Sequence, residues 1–210
     1  MNAAHVRALL SIALLLCCGF AAAADYRFDT EHSQILASAN HNGFSAPVGR
    51  LAIAAGWLRF DADDWSRAAT VLDIDLASID FGNADWNRAL CTRRWLDCDG
   101  SRYAHFVSTG VSRHNANEGV LHGTLTLRGV SQPLDLAFRV NRVGTTVFGL
   151  HRVAGFSAST TLDRRAFGLR ANTGSVGTTV TLRLEIEAIR DHNAESDYRR
   201  SHLHADTATP

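Results

Sequence analysis

Alternation of apolar and polar residues with a period of two is the feature that most constrains this sequence. It runs through Val71–Ile79, Val120–Arg128, Leu134–Asn141 and Thr179–Glu187. Successive side chains of a β-strand point to opposite faces, so each pattern predicts a strand with one buried and one solvated face. Helical periodicity is nearly absent from the rest of the chain. The sequence therefore predicts an all-β protein.

Four further strands are predicted at Gln34–Asn42, Gly49–Phe60, His105–Arg113 and Thr146–Thr161, and one short helix at Asn83–Cys98. Turns rich in Gly and Asn separate the strands, which favours an antiparallel meander. Such a meander hides its apolar face by pairing as a sandwich or by closing into a barrel, and closure also removes exposed edges. With about eight strands, a barrel interior is either filled with side chains or holds one small ligand.

The first 24 residues are typical of an export signal. Arg7 precedes an apolar run over residues 8–20, which is too short to span a bilayer, and Ala22-Ala23-Ala24 offers a cleavage site. A retained N-terminal anchor is the alternative. We expect a periplasmic or secreted protein with no transmembrane segment after cleavage, made of a barrel domain at 25–190 and a flexible polar tail at 191–210.

The cysteines take their meaning from this export. Cys17 and Cys18 leave with the signal, so Cys91 and Cys98 remain as a pair in an oxidising compartment. Their spacing favours a disulfide that closes a small loop. A redox pair is the main alternative, although the spacing lacks the C-x-x-C arrangement that activates a thiol.

Charge and composition exclude several classes of function. The 21 basic residues are all Arg and balance 21 acidic residues, so a catalytic lysine is excluded and nucleic acid is an unfavourable partner. The ten His are scattered, and no nucleophile–base–acid arrangement, zinc motif or phosphate loop is present. The sequence predicts no catalytic residues, no metal site and no required cofactor.

Five local motifs carry a resemblance that covers about Tyr26 to Ile189. They read Tyr26-x-x-Asp29-x-x-His32-Ser33, His41-x-Gly43-Phe44-Ser45-x-x-Val48-Gly49, Ser78-Ile79-Asp80-x-Gly82-Asn83, Gly123-x-Leu125-Thr126-Leu127-x-Gly129-Val130-Ser131-x-Pro133 and Asp163-Arg164-x-x-Phe167-Gly168-Leu169. In this order, they resemble the YceI-like lipid/polyisoprenoid-binding proteins. The resemblance implies an extended, lipocalin-like barrel of eight antiparallel strands whose bore holds a long isoprenoid chain, such as a quinone tail.

The candidate site residues follow from that resemblance. The expected lining of the bore is Ile35, Phe44, Leu58, Phe60, Trp86, Leu90, Trp95, Phe106, Phe138, Phe148, Phe156 and Phe167. The alternative for each is an ordinary place in the core. Polar candidates for the ligand's head group are Asp29, His32, Ser33 and Arg164. Turn and cap hydrogen bonds are the favoured role of Asp29 and Ser33, and Arg164 is expected to pair with an acidic neighbour.

The preferred function is therefore an exported protein that binds a long apolar lipid for transport, storage or stress protection. Two alternatives remain open. One is an enzyme or thiol-redox partner that acts on such a lipid, and the other is a filled barrel that serves as a protein-interaction module. The sequence leaves the oligomeric state open, with a homodimer among the options.

Overall fold

The strands predicted from alternation close into a barrel. The computed structural model describes residues 23–147 and 149–206, and the described chain contains nine strands and two α-helices. The strands are β1 (Ala24–Phe28), β2 (Gln34–His41), β3 (Val48–Phe60), β4 (Ala69–Asp80), β5 (Tyr103–Arg113), β6 (Glu118–Leu127), β7 (Val130–Thr145), β8 (Arg152–Asp163) and β9 (Val176–Arg190). The helices are α1 (Ala84–Leu90) and α2 (Ala194–Asp206).

Every pairing between neighbouring strands is antiparallel, and the ring runs β3-β2-β9-β8-β7-β6-β5-β4 and back to β3. The short strand β1 pairs with the same two strands as β2, namely β3 and β9, farther along the wall. β1 and β2 thus act together as one strand of the ring, and residues 29–33 separate the two halves of that strand. The predicted barrel of eight antiparallel strands is confirmed, and closure leaves no sheet edge to cover.

The predicted inward faces are also confirmed. Leu72, Leu76, Leu125, Leu136 and Leu184 are each less than 9% exposed and belong to one apolar cluster inside the barrel. Burying a leucine side chain stabilises a fold by about 1.5–3 kcal/mol, so the repeated alternation is the main source of barrel stability. A second buried cluster, around Phe60 and Phe156, lies farther along the bore.

Several elements differ from the sequence prediction, most clearly the helix, β8 and β1. The predicted helix at Asn83–Cys98 begins as expected, because the Asn83 side chain accepts hydrogen bonds from two backbone amides of the first turn. It ends at Leu90, because the chain then turns back to close the Cys91–Cys98 disulfide. β8 begins at Arg152 rather than Thr146, and β1 was not predicted because five residues are too few for a clear alternation.

The tail also differs from its prediction. The segment predicted to be flexible forms α2, which packs against the outside of the barrel. The Asp73 carboxylate, nearly buried on the outer wall, lies 3.0 Å from the Tyr198 hydroxyl, 2.8 Å from His202 Nε2 and 2.5 Å from His105 Nδ1. Burial and the Asp73 carboxylate raise the pKa of Tyr198 far above its usual range, so its hydroxyl stays a donor. The prediction failed because polar contacts, not an apolar stripe, hold this helix.

Residues 1–22, most of the predicted signal, lie outside the described residues, and Ala24 already pairs with Phe60 in β1. No helix in the described ranges is long and apolar enough to cross a bilayer. The barrel has an upper and a lower end, each defined by the connections between strands that lie there. The upper end has those at residues 42–47, 81–102, 128–129 and 164–175, and the lower end has those at residues 61–68, 114–117 and 146–151.

Candidate functional site

An apolar cavity of about 410 Å³ occupies the upper part of the barrel. Its wall is built from the inward faces of the strands, mainly Leu, Ile, Val and Ala side chains. Along β9 it runs from Val176 to Leu184, and along β2 from His41 to Ile35. Six to eight residue steps of about 3.4 Å on strands tilted by about 40° give a depth of about 15–20 Å. The alternation that built the barrel therefore also built a deep apolar well.

Residues 81–102, here called the cap, lie across part of the upper opening. The α1 residue Trp86 places its ring 5.6 Å from the ring of His41 on β2. Arg94 donates to the Asn172 side chain in the β8–β9 connection at 2.9 Å, and the Arg93 carbonyl accepts from Arg128 in the β6–β7 turn at 3.0 Å. The cap thus contacts two of the other upper connections and the end of β2.

The predicted Cys91–Cys98 disulfide is confirmed, with an S–S distance of 2.06 Å. It closes the part of the cap that follows α1, and Cys98 is buried in the barrel core cluster. Leu90, Trp95 and Leu96, beside or within this loop, line the cavity. The bridge therefore holds a wall of the opening in one shape.

A second cavity of about 100 Å³ lies below the first. Both cavities are bordered by Leu72, Phe106, Leu136 and Leu184, which form a waist between them. The Phe106 ring rests directly over Gly123, where an added Cβ would come within 2.3 Å of Phe106 Cζ. Glycine is required there because any larger residue would push this ring out of the waist.

A cluster of four aromatic rings closes the lower end. Trp65 lies on a single turn of 3-10 helix, capped by the side chain of the preceding aspartate, and its ring folds inward. Ring centroids are 5.7 Å apart for Phe60 and Trp65, 5.1 Å for Trp65 and Phe138, and 5.0 Å for Phe60 and Phe156. Edge and tilted contacts of this kind stabilise aromatic clusters beyond their buried area. The bore is therefore a tube with one blocked end.

Arg164 brings a positive charge to the wall of the upper cavity. Its side chain donates to the carbonyls of Gly177 (2.9 Å), Leu169 (2.5 Å) and Val176 (2.8 Å), and its guanidinium carbon lies 5.0 Å from the centroid of the Trp95 ring. The residue is 3% exposed. Burial lowers the pKa of this guanidinium, which nevertheless stays charged.

Arg164 does not form the ion pair with an acidic neighbour that the sequence predicted. The adjacent Asp163 carboxylate pairs with Arg165 at 2.7 Å, so within the described residues the salt bridges leave Arg164 without a carboxylate. Apart from the histidine at the rim, it is the one ionisable side chain among the described residues that line the upper cavity. An uncompensated cation on an apolar wall favours an anionic or electron-rich group nearby.

Nine of the twelve predicted lining residues border one of these cavities, namely Ile35, Leu58, Phe60, Trp86, Leu90, Trp95, Phe106, Phe138 and Phe156. The prediction is wrong for Phe44, which is 91% exposed. Asn42 and Gly43 both take positive φ there and turn the tip of the hairpin outward. Phe167 packs in the core cluster rather than on the cavity surface, and Phe148 lies outside the described residues.

Asp29, His32 and Ser33 lie on the outer wall at the interruption between β1 and β2. The Asp29 carboxylate accepts from the backbone amides of Glu31 and His32, and its other oxygen lies 2.9 Å from His32 Nδ1. Ser33 Oγ donates to the Glu187 carbonyl and accepts from the Glu187 amide, both at 3.1 Å. These are the hydrogen bonds of a strand break, and none of the three residues lines either cavity.

Electrostatics reinforce this arrangement. Burial acts to raise the pKa of Asp29, but the hydrogen bonds from His32 and the backbone outweigh it and bring the pKa below its usual value. The same carboxylate raises the pKa of His32. Asp29, His32 and Glu187 also bring potential metal-ligating atoms within 4.8 Å of one another. Of these, Asp29 and His32 are hydrogen-bonded to each other, and Asp29 also accepts from two backbone amides.

Sequence reasoning missed most of the aliphatic lining and the aromatic closure. Leu125, Leu136 and Leu182 face the cavity, and alternation already signalled their direction, but aromatic residues were favoured as candidates. Trp65 had no comparable signal, because its inward position depends on Phe138, which is distant in sequence, and on Gly119, where a Cβ would lie 2.9 Å from the Trp65 ring.

Comparison with known proteins identifies the family of this barrel. The model of the YceI-like domain matches residues 26–188. The chain belongs to the YceI-like family. A UPF0312 protein of Shewanella sp. (strain W3-18-1) is 31% identical over 185 residues, which cover 87% of this chain and 96% of that relative. A UPF0312 protein of Serratia proteamaculans (strain 568) is also 31% identical, over 187 residues that cover 88% of this chain and 96% of the relative.

Solved structures share the YceI-like fold. The crystal structure of BcnA from Burkholderia cenocepacia has a TM-score of 0.68 at 20% identity and covers 76% of this chain and 98% of its own. A polyisoprenoid-binding domain from Saccharophagus degradans, implicated in plant cell wall breakdown, has a TM-score of 0.58 at 14% identity and covers 79% of this chain and 98% of its own. At such identities the likeness concerns the fold alone.

Proposed function

We propose that this YceI-like protein is an exported binding protein that holds one long apolar lipid, an isoprenoid or the tail of a prenyl quinone, inside the barrel. The observation that carries the proposal is the deep cavity of about 410 Å³ with apolar walls, blocked at its lower end. Ligand sites of this kind are concave, mainly apolar and supplied with a few polar groups. The polyisoprenoid-binding neighbour from Saccharophagus degradans supports the ligand class.

The dimensions of the well suit a membrane lipid. The hydrocarbon core of a bilayer is about 30 Å thick, so a chain in one leaflet spans about 15 Å. The upper cavity is about 15–20 Å deep by strand geometry. Each methylene that leaves water contributes about 0.8 kcal/mol, so ten buried carbons offer about 8 kcal/mol before the cost of ordering the chain. No enzyme-like chemistry is needed to retain such a ligand.

Arg164 is the proposed contact for the polar head. A guanidinium has five N–H donors, and the carbonyls described above use three of them. The remaining donors can meet a quinone carbonyl, a carboxylate or a phosphate at the wall of the well. Asp29, His32 and Ser33 have no part in this role, because they stabilise the outer wall.

Binding rather than catalysis is the proposed activity, with no cofactor required beyond the lipid itself. A Cys91–Cys98 bridge at the opening suits a structural role in an oxidising compartment, and its spacing lacks the C-x-x-C arrangement of thiol-redox proteins. The proposed location is therefore the periplasm or the exterior, after removal of the N-terminal signal. Transport, storage and stress protection would all use the same retention of a lipid.

Gentle native mass spectrometry of protein recovered from its own host tests the proposal. We expect an added mass that organic extraction releases as an isoprenoid or another long-chain lipid. Arg164→Leu should retain simple alkyl chains but lose selectivity for quinone or acidic head groups, whereas the exposed neighbour Arg165→Leu should behave as the wild type. A clean ligand-free mass, together with no binding of added prenyl quinone or fatty amide, would refute the proposal.

A further inference from the structure

Two aromatic side chains project from the upper rim beside the opening of the well. Phe44, at the tip of the β2–β3 connection, is 91% exposed, and its amide donates to the carbonyl of His41, a residue that lines the cavity. Trp86 on α1 also contacts His41, with ring centroids 5.6 Å apart, and is 42% exposed. Single exposed apolar residues are ordinary, but here two rings flank one apolar opening. Tryptophan is also enriched where proteins meet a membrane interface.

The two ends of the barrel carry opposite charge. The upper connections, counted with the strand residue on either side, contain eight Arg and five Asp. The lower connections counted in the same way contain three Arg and four acidic residues. The molecule as a whole is neutral, so this asymmetry is a property of how the fold distributes its charges.

Part of the upper charge is available to a partner. Arg93 and Arg94 on the cap and Arg170 in the β8–β9 connection are exposed, and the salt bridges found among the described residues include none of the three. Arg94 contacts only a neutral amide oxygen. Arg88 and Arg165, by contrast, are each paired with a nearby aspartate. The unpaired guanidinium groups therefore surround the same opening as the two aromatic rings.

From this arrangement we infer that the upper rim docks on the surface of an anionic lipid bilayer, so that the opening of the well faces the membrane. The inference rests on the proposed function and names the partner from which the well is loaded. A lipid that enters directly from a bilayer does not expose its chain to water. Each methylene moved into water lowers the equilibrium constant for transfer about fourfold. Phe44 and Trp86 enter the headgroup region, while the three arginines meet lipid phosphates.

The lower end offers a matched control. Val147 and Leu150, in the β7–β8 connection, are 84% and 79% exposed, so they present as much apolar surface as Phe44. Their end of the barrel has more acidic than basic residues and so lacks the positive charge that an anionic surface attracts. The inference assigns membrane binding to the upper rim and none to this tip.

The test uses flotation with vesicles of phosphatidylcholine, with and without phosphatidylglycerol. All proteins begin at Ala23, because the described barrel starts at Ala24 and the apolar N-terminal run would itself bind vesicles. We expect the wild type to float only with anionic vesicles. Arg93→Gln with Arg94→Gln should weaken binding about 20–30-fold, since each arginine near an anionic surface strengthens binding about fivefold. Phe44→Ser should weaken it about tenfold, and Val147→Ser with Leu150→Ser should leave it unchanged.

A second arm separates this inference from the proposed function. The same proteins are offered a short-chain prenyl alcohol in water, without vesicles. Binding in this arm by all variants, together with loss of flotation in the upper-rim variants, supports the inference. If the wild type binds the alcohol but floats with neither kind of vesicle, the membrane inference is wrong and the rim fits a protein partner instead. If the lower-tip variants lose flotation and the rim variants keep it, the inference is also overturned. Failure to bind the alcohol with intact flotation overturns the proposed function alone.

Discussion

We predict that Phe106 at the waist limits the length of chain that the barrel binds, and Phe106→Ala tests this prediction directly. The ring is 3% exposed and separates the cavity of about 410 Å³ from the one of about 100 Å³. Its removal joins the two into one longer bore. We expect the variant to bind chains that are too long for the wild type to enclose.

The magnitude follows from the lower cavity. At about 30 Å³ for a water-sized group, it holds roughly three methylenes. At about 0.8 kcal/mol each, those groups contribute about 2.4 kcal/mol, or about 50-fold in Kd. The substitution also destabilises the fold by about 3–5 kcal/mol, because it removes a buried aromatic side chain. Phe106→Leu should therefore raise the affinity for longer chains by a smaller factor and destabilise the fold less.

The assay is isothermal titration calorimetry with saturated fatty acids that lengthen one carbon at a time. For the wild type, affinity should rise with length and then level off when the upper cavity is full. For Phe106→Ala the rise should continue for about three more carbons. Phe167→Ala is the matched control, because Phe167 is equally buried but packs away from the cavity surface. A plateau that does not move in Phe106→Ala, or that moves equally in Phe167→Ala, would refute the reasoning.

Two further predictions concern polar contacts outside the bore. Tyr198→Phe removes one hydrogen bond to the Asp73 carboxylate, worth about 1.5 kcal/mol, so amide exchange in α2 should accelerate about tenfold, whereas Tyr103→Phe on an exposed ring should have no effect. Asp29→Asn should lower the pKa of His32 toward its ordinary value of 6.5, as followed by NMR titration. Because the His32 pKa is raised and the Asp29 pKa is lowered, the stability that this pair adds should be greatest between about pH 3.8 and 6.5 and decline as pH rises through the His32 pKa or falls through that of Asp29. If chemical denaturation gives the same difference in free energy of unfolding between the wild type and His32→Gln at every pH, this account is wrong.

The barrel was predictable from the sequence because strand alternation is a local property. Residues such as Leu125 and Leu184 reveal their direction through their immediate neighbours, and the structure buries both. Closure of the sheet follows from the same pattern, since eight one-sided strands must hide their apolar faces. Alternation alone left a barrel and a sandwich open, and the resemblance to YceI-like proteins favoured the barrel. The match to the YceI-like family model agrees with that resemblance.

The closure of the lower end and the setting of Arg164 could not be predicted, because they depend on partners distant in sequence. Trp65 turns inward only because Phe138 and a glycine on another strand leave room for it. Arg164 looked like the partner of an adjacent acid, yet carbonyls from β9 and the connection before it surround its guanidinium. The direction of Phe44 also escaped prediction, since an aromatic at a hairpin tip points inward or outward according to the twist of the turn.

The aromatic closure at the lower end has a kinetic consequence. With the rings of Phe60, Trp65, Phe138 and Phe156 across the bore, any occupant enters and leaves by the same opening. A second molecule cannot push the first out from behind, so exchange passes through an empty barrel. If the protein binds one lipid as proposed, the rate of release should be independent of the concentration of the incoming lipid, and exchange should be limited by dissociation of the bound molecule.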